Sequence, residues 1–320
     1  MRLIVGKSAY LLLLLIFISL LSFAAIKLAP NAMSGGGELN PAMTPEALAH
    51  MRQVYGLNRP LVEQYLAWIS SLAQLDFGVS YVSGRPVSEE IFDRIGITLL
   101  LNGISMALIF VIALKLGISS ALKHDRTYDR LVVNLSLASF AMPGFYLALL
   151  LLLLFSLWLP LFPSGGIASF GAPEEGVGRW VDLLWHLALP VIVLTFTGFG
   201  SLLLYVRALT LEILKSDYIF FARARGLSEA MIKRYYILPN LMPSLITMMG
   251  LSFPGLFGGS VILEAIFSIE GMGQLFYQST LSRDYPVILG IVMIGALMTL
   301  VGNMAADLLL LKLNPYARKS

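Results

Sequence analysis

Apolar residues dominate six stretches of the chain, and each stretch is long enough to cross a bilayer as a helix. A helical crossing takes about 20 residues. Within the run 147–154 no polar face remains, which favours helices surrounded by apolar contacts. Such runs are too long and continuous for barrel strands of about ten alternating residues. The predicted spans one to six are residues 8–29, 97–122, 131–159, 183–206, 241–263 and 286–311.

The composition agrees with this pattern and narrows the class of protein. Of the 320 residues, 58% are hydrophobic and 13% are charged, whereas soluble domains carry about 25% charged residues. The chain has no cysteine, which excludes disulfides, thiolate metal sites and cysteine nucleophiles. The sequence therefore predicts an all-α integral membrane protein with six transmembrane helices.

The basic residues predict the orientation of the spans. With the N-terminus inside, the inner segments hold about twice as many Lys and Arg residues as the outer segments. Both termini are therefore expected in the cytoplasm. The first span could be a cleaved signal peptide, but its apolar part is long and no small-x-small cleavage site follows, which favours a retained signal anchor. The predicted parts are a signal anchor (1–30), an outer helical loop (31–96), a core (97–311) and a cytoplasmic tail (312–320).

The outer loop after span one contains signals for three helices. One is predicted after Thr44-Pro45 and ends at Gly56, a second begins near Pro60, and a third begins after Pro86 and leads into span two. Apolar residues of the second helix recur at helical spacing. The loop can serve packing or interfacial anchoring, or it can dock a soluble binding protein. Those apolar residues are Leu61, Tyr65, Leu66, Ile69 and Leu72.

The segment 207–240, between spans four and five, is the longest predicted cytoplasmic loop. Ser216 or Asp217 can cap a helix over residues 218–225, and Gly226 can end it with a positive φ angle. Ser228 can cap a second helix over residues 229–236, before Pro239 and span five. The pattern therefore predicts a compact two-helix knob on the cytoplasmic side.

One face of the first knob helix combines aromatic and basic side chains. Tyr218, Phe221, Ala222 and Arg225 share this face by their helical spacing. Such a face suits insertion into the groove of a partner protein. The same pattern also fits an amphipathic helix on lipid headgroups, with Arg223 and Arg225 against anionic lipid. Periodicity alone leaves both interpretations open.

This segment resembles the cytoplasmic signature loop of ABC importer permeases. That loop reads Glu-Ala-Ala, three residues, Gly, nine residues and Ile-x-Leu-Pro. Gly226 takes the glycine place and Leu238-Pro239 the closing pair, whereas Phe220 and Phe221 replace the Glu and the first Ala. The branch that serves dipeptides, oligopeptides and nickel departs similarly. The residues similar to that branch are Asp217, Tyr218, Ala222, Arg223, Ala224, Arg225, Gly226, Leu227 and Ser228.

The resemblance extends over nearly the whole chain, with further motifs in the order of this branch. It is closest to the first, B-type permease subunit and implies the type I ABC importer permease fold. In the closing motif, Asn314 stands where Asp is usual. The additional motifs are Leu28-Ala29-Pro30, Tyr55 to Pro60, Asp76-Phe77-Gly78, Glu264, Phe267, Ser268, Gly271, Gly273, Asp284-Tyr285-Pro286, Asn303, Asp307 and Asn314-Pro315.

The resemblance also implies partners and a location. A second related permease would pair with this chain, two ATP-binding subunits would bind beneath it, and an extracytoplasmic binding protein would dock above it. ATP and Mg²⁺ would be bound by the ATPase subunits, so no cofactor is expected in this chain, and no nucleic-acid partner is expected. Residues 217–225 would be the coupling helix. The location would be the bacterial cytoplasmic (inner) membrane, and the cargo a peptide or, alternatively, nickel or a metal–metallophore complex.

Small and polar residues within the spans are candidates for a translocation pathway. Lys115 can snorkel to the interface or face the pathway, and Asp307 is expected to be structural. Pro143, Pro190 and Pro254 are expected to interrupt their spans. The glycines of span five can serve helix packing or line the passage, and Glu264 can be an outer gate or a helix-end contact. The pathway candidates are Ser139, Pro143, Gly144, Gly255, Gly258, Gly259 and Glu264.

Other functional classes lack their sequence signals. An intramembrane enzyme would need a nucleophile with a base, or metal ligands, and neither Gly-x-Ser-x-Gly nor His-Glu-x-x-His occurs. His50, His124 and His186 fall on different loops, so no metal site is predicted. No phosphate-binding Gly-x-x-x-x-Gly-Lys-Ser/Thr loop occurs either. A proton- or sodium-driven transporter would show several mid-membrane acidic groups, whereas the acidic residues here lie at span ends or in loops. We therefore expect a non-enzymatic permease.

Overall fold

A computed structural model describes residues 2–28, 46, 58–173, 175–253 and 255–313, and most of these residues are helical. Within these ranges, strand-like pairing is confined to one antiparallel bridge between Val79 and Pro86. In chain order the helices are α1 (Arg2–Leu28), α2 (Leu61–Ala73), α3 (Val87–Leu122), α4 (Thr127–Ala141), α5 (Gly144–Leu152, continued by a π-helix Leu153–Trp158), α6 (Gly176–Leu214), α7 (Asp217–Ala224), α8 (Glu229–Ile232, continued by a π-helix Lys233–Ile237), α9 (Leu238–Ser252), α10 (Gly255–Gly258), α11 (Val261–Ile266), α12 (Met272–Leu281) and α13 (Tyr285–Leu313).

The helices cover all six predicted spans. Four stretches of the described chain are long and apolar enough to cross a membrane, and the bent pair α4–α5 forms a fifth crossing when counted as one. The apolar segment Leu13–Ala25 lies within α1 and corresponds to span one. The predicted class, an all-α multi-pass membrane protein, is therefore confirmed. The four single stretches are Val87–Leu122, Gly176–Leu214, Glu229–Gly258 and Tyr285–Ala305.

Proline affects the spans differently at each position. Pro143 separates α4 from α5, and the two helices meet at 96°, as expected for a residue that cannot continue the hydrogen-bond ladder. Pro190 lies inside the unbroken helix α6, so the prediction that it interrupts span four is wrong. Pro254 lies outside the described residues, as do Thr44-Pro45 and Gly56. In span five, α9 ends at Ser252 and α10 begins at Gly255.

The chain forms two compact units, and the first comprises Met1–Thr98, Phe257–Val261 and Glu270–Val301. The predicted helix after Pro60 is present as α2, and it contacts α1 through the rings of Phe23, Tyr65 and Trp68. The predicted helix after Pro86 is continuous with span two, and together they form one helix, α3. An apolar core fixes the start of α3 against α12 and α13. It comprises Val87, Ile91, Met272, Leu275, Val287 and Ile291.

The second unit comprises Leu99–Leu256, Ile262–Ile269 and Gly302–Ser320. Within it, α6 packs closely on α4 because Gly200 faces the backbone carbonyl of Ser136, where a Cβ atom would overlap the oxygen. Gly117 of α3 also approaches α6, since an added Cβ would lie 2.9 Å from the carbonyl oxygen of Leu203. Small residues therefore set the spacing of these helices, as in other membrane helix pairs.

Candidate functional site

The knob, which comprises α7 and α8 and is predicted to be cytoplasmic, is fixed to neighbouring helices of the second unit by a continuous apolar cluster. Ile219 and Ala222 of α7 are buried there, together with residues from α3, α6, α8 and α9. We name this set the knob cluster. Because a packed interior deforms little, a displacement of α7 would be passed to the helices that share the cluster. Its buried members are Ile118, Val206, Ile219, Ala222, Ile232, Ile237, Leu241 and Leu245.

Gly226 ends α7 in the predicted way. Its φ angle is +77°, a conformation that glycine adopts without a steric penalty. The backbone N–H of Gly226 donates to the carbonyl of Arg223 at 2.9 Å, and that of Leu227 donates to the carbonyl of Ala222 at 3.2 Å. These two bonds form a Schellman motif, and the contact of Leu227 with the knob cluster completes it.

The caps of the two knob helices match the predictions only in part. Ser228 accepts a hydrogen bond from the backbone N–H of Met231 at 3.3 Å, as predicted. Ser216 stands at the N-cap of α7, but its hydroxyl donates to the carbonyl of Ile213 and makes no cap bond, so that prediction is wrong. Asp217 in the first turn instead places its negative charge near the helix N-terminus. The second helix turns into a π-helix after Ile232 and joins α9 directly.

The exposed side of α7 is aromatic. Phe220 and Phe221 are 70% and 62% exposed, and Tyr218 is also exposed. We name these three residues the aromatic face. Ala222 is only 2% exposed, so the prediction that it shares this face is wrong, because it packs inward with Ile219.

The remaining predicted coupling residues surround the aromatic face. Asp217, Ala224 and Arg225 are exposed, and Leu227 is partly buried in the knob cluster. The Nε of Arg223 donates to Glu229 at 3.1 Å, which links α7 to α8 at the surface. The structure therefore brings all nine predicted residues into one compact knob with one open aromatic surface.

A buried ion pair, which the sequence analysis did not identify, joins α4 to α6 close to the knob. The guanidinium of Arg207 donates through Nε to Oδ1 and through Nη2 to Oδ2 of Asp129, both at 2.7 Å. The hydroxyl of Ser120 also donates to Asp129, and so does the backbone N–H of Asp125 at 3.0 Å. The Nδ1 of His124 lies 3.2 Å from Oδ2 of Asp129. We name these residues the ion-pair cluster.

The ion-pair cluster contains groups that could in principle hold a cation. Ligand atoms of His124, Asp125 and Asp129 lie within 4.8 Å of one another. However, both carboxylate oxygens of Asp129 already accept hydrogen bonds from Arg207. The guanidinium therefore supplies the positive charge at this site.

A cavity of about 580 Å³ lies within the second unit. Its walls come from α3, α6, α9 and α10, and its described lining residues are all uncharged. Such a volume is within the range of sites that hold small organic ligands, roughly 300–1,000 Å³. The lining residues are Asn102, Ser105, Met106, Ile109, Phe110, Leu194, Thr197, Gly198, Ser201, Leu202, Tyr205, Met248, Ser252, Gly255 and Leu256.

Of the predicted pathway residues, Gly255 alone belongs to this described lining. Ser139 is buried, and its hydroxyl donates to the carbonyl of Phe196, so it connects α4 to α6. Pro143 and Gly144 form the bend between α4 and α5. Gly258 ends α10, and Glu264 is buried on α11.

Gly259 is the last residue of the predicted pathway set, and Lys115 was considered for the pathway separately. Gly259 follows α10 with a φ angle of +63°. Lys115 is exposed on α3 and is not part of the cavity lining.

Asn102, another residue that the sequence analysis did not identify, connects α3 to the short helix α10. Its Nδ2 donates to the carbonyl oxygens of Gly255 and Leu256 at 3.0 and 3.1 Å. These carbonyls belong to the short helix α10, where the regular ladder of α9 has ended. Because unpaired backbone groups are costly away from water, one amide side chain here stabilises the irregular backbone of the cavity wall.

Comparisons with known proteins agree with this architecture. Residues 113–319 match the family described as binding-protein-dependent transport system inner membrane component, and residues 1–102 match its N-terminal companion family. The oligopeptide transport system permease protein AppB of Bacillus subtilis is 37% identical over an alignment of 310 positions, which covers 94% of each chain.

Two further relatives carry other names. The metal-staphylopine import system permease protein CntB of Staphylococcus aureus is 33% identical over 87% of this chain and 85% of its own. The glutathione transport system permease protein GsiC of Salmonella paratyphi A is 34% identical over 87% of this chain and 86% of its own. The expected resemblance is therefore confirmed: the chain belongs to the binding-protein-dependent transport system inner membrane component family and is a transmembrane permease subunit of an ABC importer.

Proposed function

We propose that this permease subunit forms half of the translocation pathway of an ATP-driven importer of peptides. The names of its relatives support a peptide cargo, since the relatives include the oligopeptide permease AppB and peptide transport permeases from Brucella species. The observation that carries the coupling part of the proposal is the aromatic face of α7, which is open on one side and fixed on the other by the knob cluster.

The proposed assembly contains four kinds of subunit. A second, homologous permease completes the pathway, two ATP-binding subunits lie beneath the knob, and an extracytoplasmic binding protein delivers the cargo. ATP and Mg²⁺ are bound and ATP is hydrolysed in the partner subunits, and this chain requires no cofactor of its own. The assembly resides in the bacterial inner membrane, with both termini of this chain in the cytoplasm.

The proposed mechanism converts movement of the ATPase subunits into movement of the spans. Aromatic side chains with a large exposed area are frequent anchors at protein interfaces, so the aromatic face can insert into a groove of one ATPase subunit. When the ATPase dimer closes, it displaces α7. The knob cluster passes this displacement to α6 and α9, because Ile219 and Ala222 share the cluster with Val206 and Leu241.

Site-specific crosslinking tests this proposal in the complete transporter. The chain has no native cysteine, so Phe221→Cys introduces a unique thiol on the aromatic face. We expect Phe221→Cys to crosslink to an ATPase subunit, whereas the matched variant Ala222→Cys, on the buried side of the same helix, does not. Labelling of Phe221→Cys by lipid-phase probes, without any ATPase crosslink, would instead show that this face rests on the membrane.

Import of a metal–metallophore complex is a second candidate, because the 33% identical relative CntB is named for metal-staphylopine import. Uptake measurements in proteoliposomes that contain the complete transporter separate the two candidates. We expect labelled tripeptides to enter in an ATP-dependent way. Uptake of a metal–metallophore complex without uptake of any peptide would favour the second candidate.

A further inference from the structure

One charged side chain stands on an apolar, exposed face of α3. Lys115 lies within the stretch Val87–Leu122, which is long and apolar enough to cross a membrane. It is exposed and follows Leu108 and Val111, which are 40% and 48% exposed, at spacings of four and seven residues that place all three on one helix face. None of the three belongs to the described lining of the cavity. Within the described part of the chain, this face of α3 is therefore open.

The charge of Lys115 is not balanced by any residue that the structure describes. Among those residues it makes no ion pair, hydrogen bond or ring contact. A charged side chain that stands among apolar groups in a membrane is costly without a counter-ion, and such residues mark binding sites by default. Because Lys115 is exposed, an anion from outside the chain can reach its ammonium group. That anion has to approach along an apolar surface.

Two hydroxyls and a second amine follow Lys115 towards the end of α3. Ser119 lies one turn further along the same face, about 6 Å along the helix axis. The hydroxyls of Ser119 and Tyr128 lie 2.8 Å apart and share a hydrogen bond. The Nζ of Lys123 lies 4.3 Å from the centre of the Tyr128 ring. We name the residues Leu108, Val111, Lys115 and Ser119 the amphipathic face of α3.

The order of groups along this face matches the order of groups in an anionic phospholipid. Leu108 and Val111 offer apolar surface for acyl chains, Lys115 offers an ammonium group for the phosphate, and the hydroxyls beyond it suit a polyol headgroup. A zwitterionic headgroup brings its own cation next to the phosphate and gains less from a lysine. The adjoining segment 123–130 holds three basic and two acidic residues, and Asp129 is already paired with Arg207. The surroundings therefore favour an anionic lipid over a zwitterionic one.

We propose that the amphipathic face of α3 binds one anionic phospholipid of the phosphatidylglycerol type. Lys115 holds the phosphate, the headgroup hydroxyls lie next to Ser119 and Tyr128, and the acyl chains lie along Leu108 and Val111. This site goes beyond the proposed import function, because it is formed by residues outside the described cavity lining and does not depend on the cargo. A carboxylate of a neighbouring subunit is the other group that could balance Lys115, and the experiment below distinguishes it from a lipid.

The test uses the complete transporter in vesicles of equal parts phosphatidylcholine and phosphatidylglycerol. A trace of either lipid carries a photoreactive diazirine in its acyl chain, and mass spectrometry locates the labelled residues after illumination. In the wild-type chain we expect the phosphatidylglycerol probe to label Leu108 and Val111 about fivefold more than the phosphatidylcholine probe, the factor that one basic side chain near an anionic group contributes. In Lys115→Gln we expect this preference to disappear, and in Lys115→Arg we expect it to remain.

A matched control and a crosslinking variant complete the test. Lys215→Gln removes an exposed basic charge from the end of α6 and should leave the lipid preference at α3 unchanged. Equal labelling by both probes in the wild-type chain would overturn the proposal, as would an unchanged preference in Lys115→Gln. So would crosslinking of Lys115→Cys to a neighbouring subunit while neither lipid labels this face. The labelling needs no cargo and no ATP, so its outcome is independent of the proposed peptide import, and the comparison of the two probes in the wild-type chain needs no variant to assemble.

Discussion

Replacing Arg207 by Met tests whether the ion-pair cluster holds α6 against α4. Met retains most of the apolar stem and removes the guanidinium, which donates two hydrogen bonds of 2.7 Å to Asp129. The side chain of Asp129 is 3% exposed and that of Arg207 is 19% exposed. Arg207→Met therefore leaves a buried carboxylate without the cation that balances its charge.

The expected cost follows from the surroundings of that carboxylate. Breaking a buried ion pair by removing one partner costs about 3–5 kcal/mol. Ser120, the backbone N–H of Asp125 and His124 remain next to Asp129, so we expect the lower end, about 3 kcal/mol. At roughly 2–4 °C per kcal/mol for chains of 150–250 residues, this lowers the melting temperature by about 6–12 °C.

Thermal unfolding of the detergent-solubilised transporter, followed by tryptophan fluorescence, measures the shift. Arg223→Met is the matched control, because Arg223 pairs with Glu229 at 3.1 Å on the surface and exposed pairs contribute about 0–1 kcal/mol. The double variant Asp129→Asn/Arg207→Met removes both charges and should recover more than half of the loss. If Arg207→Met melts within about 2 °C of Arg223→Met, the ion pair does not stabilise the junction of α4 and α6.

Two further substitutions test the knob and the helix packing separately. Gly226→Ala forces a side chain into a left-handed conformation at about 1–2 kcal/mol. We expect the amount of peptide transported per ATP hydrolysed to fall while the complex still assembles, and an unchanged ratio would contradict the proposed coupling through α7. Gly200→Ala places a Cβ atom against the carbonyl of Ser136, so we expect poor assembly by size-exclusion chromatography. Gly103→Ala, with nothing within 4 Å of the added atom, is its control, and equal behaviour of both variants would refute the packing argument.

Local signals in the sequence were sufficient to predict the spans and the knob. Apolar runs of about 20 residues in a membrane can satisfy their backbone only as helices, and helices account for most of the described residues in all six predicted regions. The end of α7 was equally predictable, because Gly226 is placed where a helix C-terminus needs a positive φ angle. These features depend on neighbours in the chain and not on distant contacts.

The direction of a helix face could not be predicted in the same way. Tyr218 and Phe221 are both exposed, as the prediction of an exposed face required, but the spacing gave no information on which side of α7 meets the rest of the unit. Ile219 and Ala222 define the buried side, because they contact residues from α3, α6, α8 and α9. Which side of the helix is buried depends on tertiary packing, and the hydrophobic period of a single helix gives no information on that packing.

Long-range polar contacts could not be predicted from the sequence either. Asp129 and Arg207 are 78 residues apart, and each resembles an ordinary charge at the end of a span. The cavity presents a similar difficulty, since most of its wall comes from α3 and α6, whose residues show no unusual pattern. Glycines in span five were interpreted either as serving helix packing or as lining a passage, and Gly255 alone of these belongs to the described lining.

Two helices, α6 and α9, contribute residues both to the knob cluster and to the cavity wall. In α6, Val206 belongs to the knob cluster and Tyr205 lines the cavity, while Leu202 contacts both. In α9, Leu245 belongs to the cluster and Met248 lines the cavity one turn later. A partner that displaces α7 therefore acts on the same helices that form the cavity wall.

In this arrangement α7 transmits the movement, whereas the ion-pair cluster stabilises the junction of α4 and α6. Binding at the knob can shift the cavity between two states only by the difference in binding free energy between those states. Gly226→Ala alters the end of α7 and should reduce the peptide transported per ATP hydrolysed with little loss of stability. Arg207→Met weakens the α4–α6 junction and should reduce stability first. If both variants reduced stability and coupling in the same proportion, the knob and the α4–α6 junction would behave as a single mechanical element.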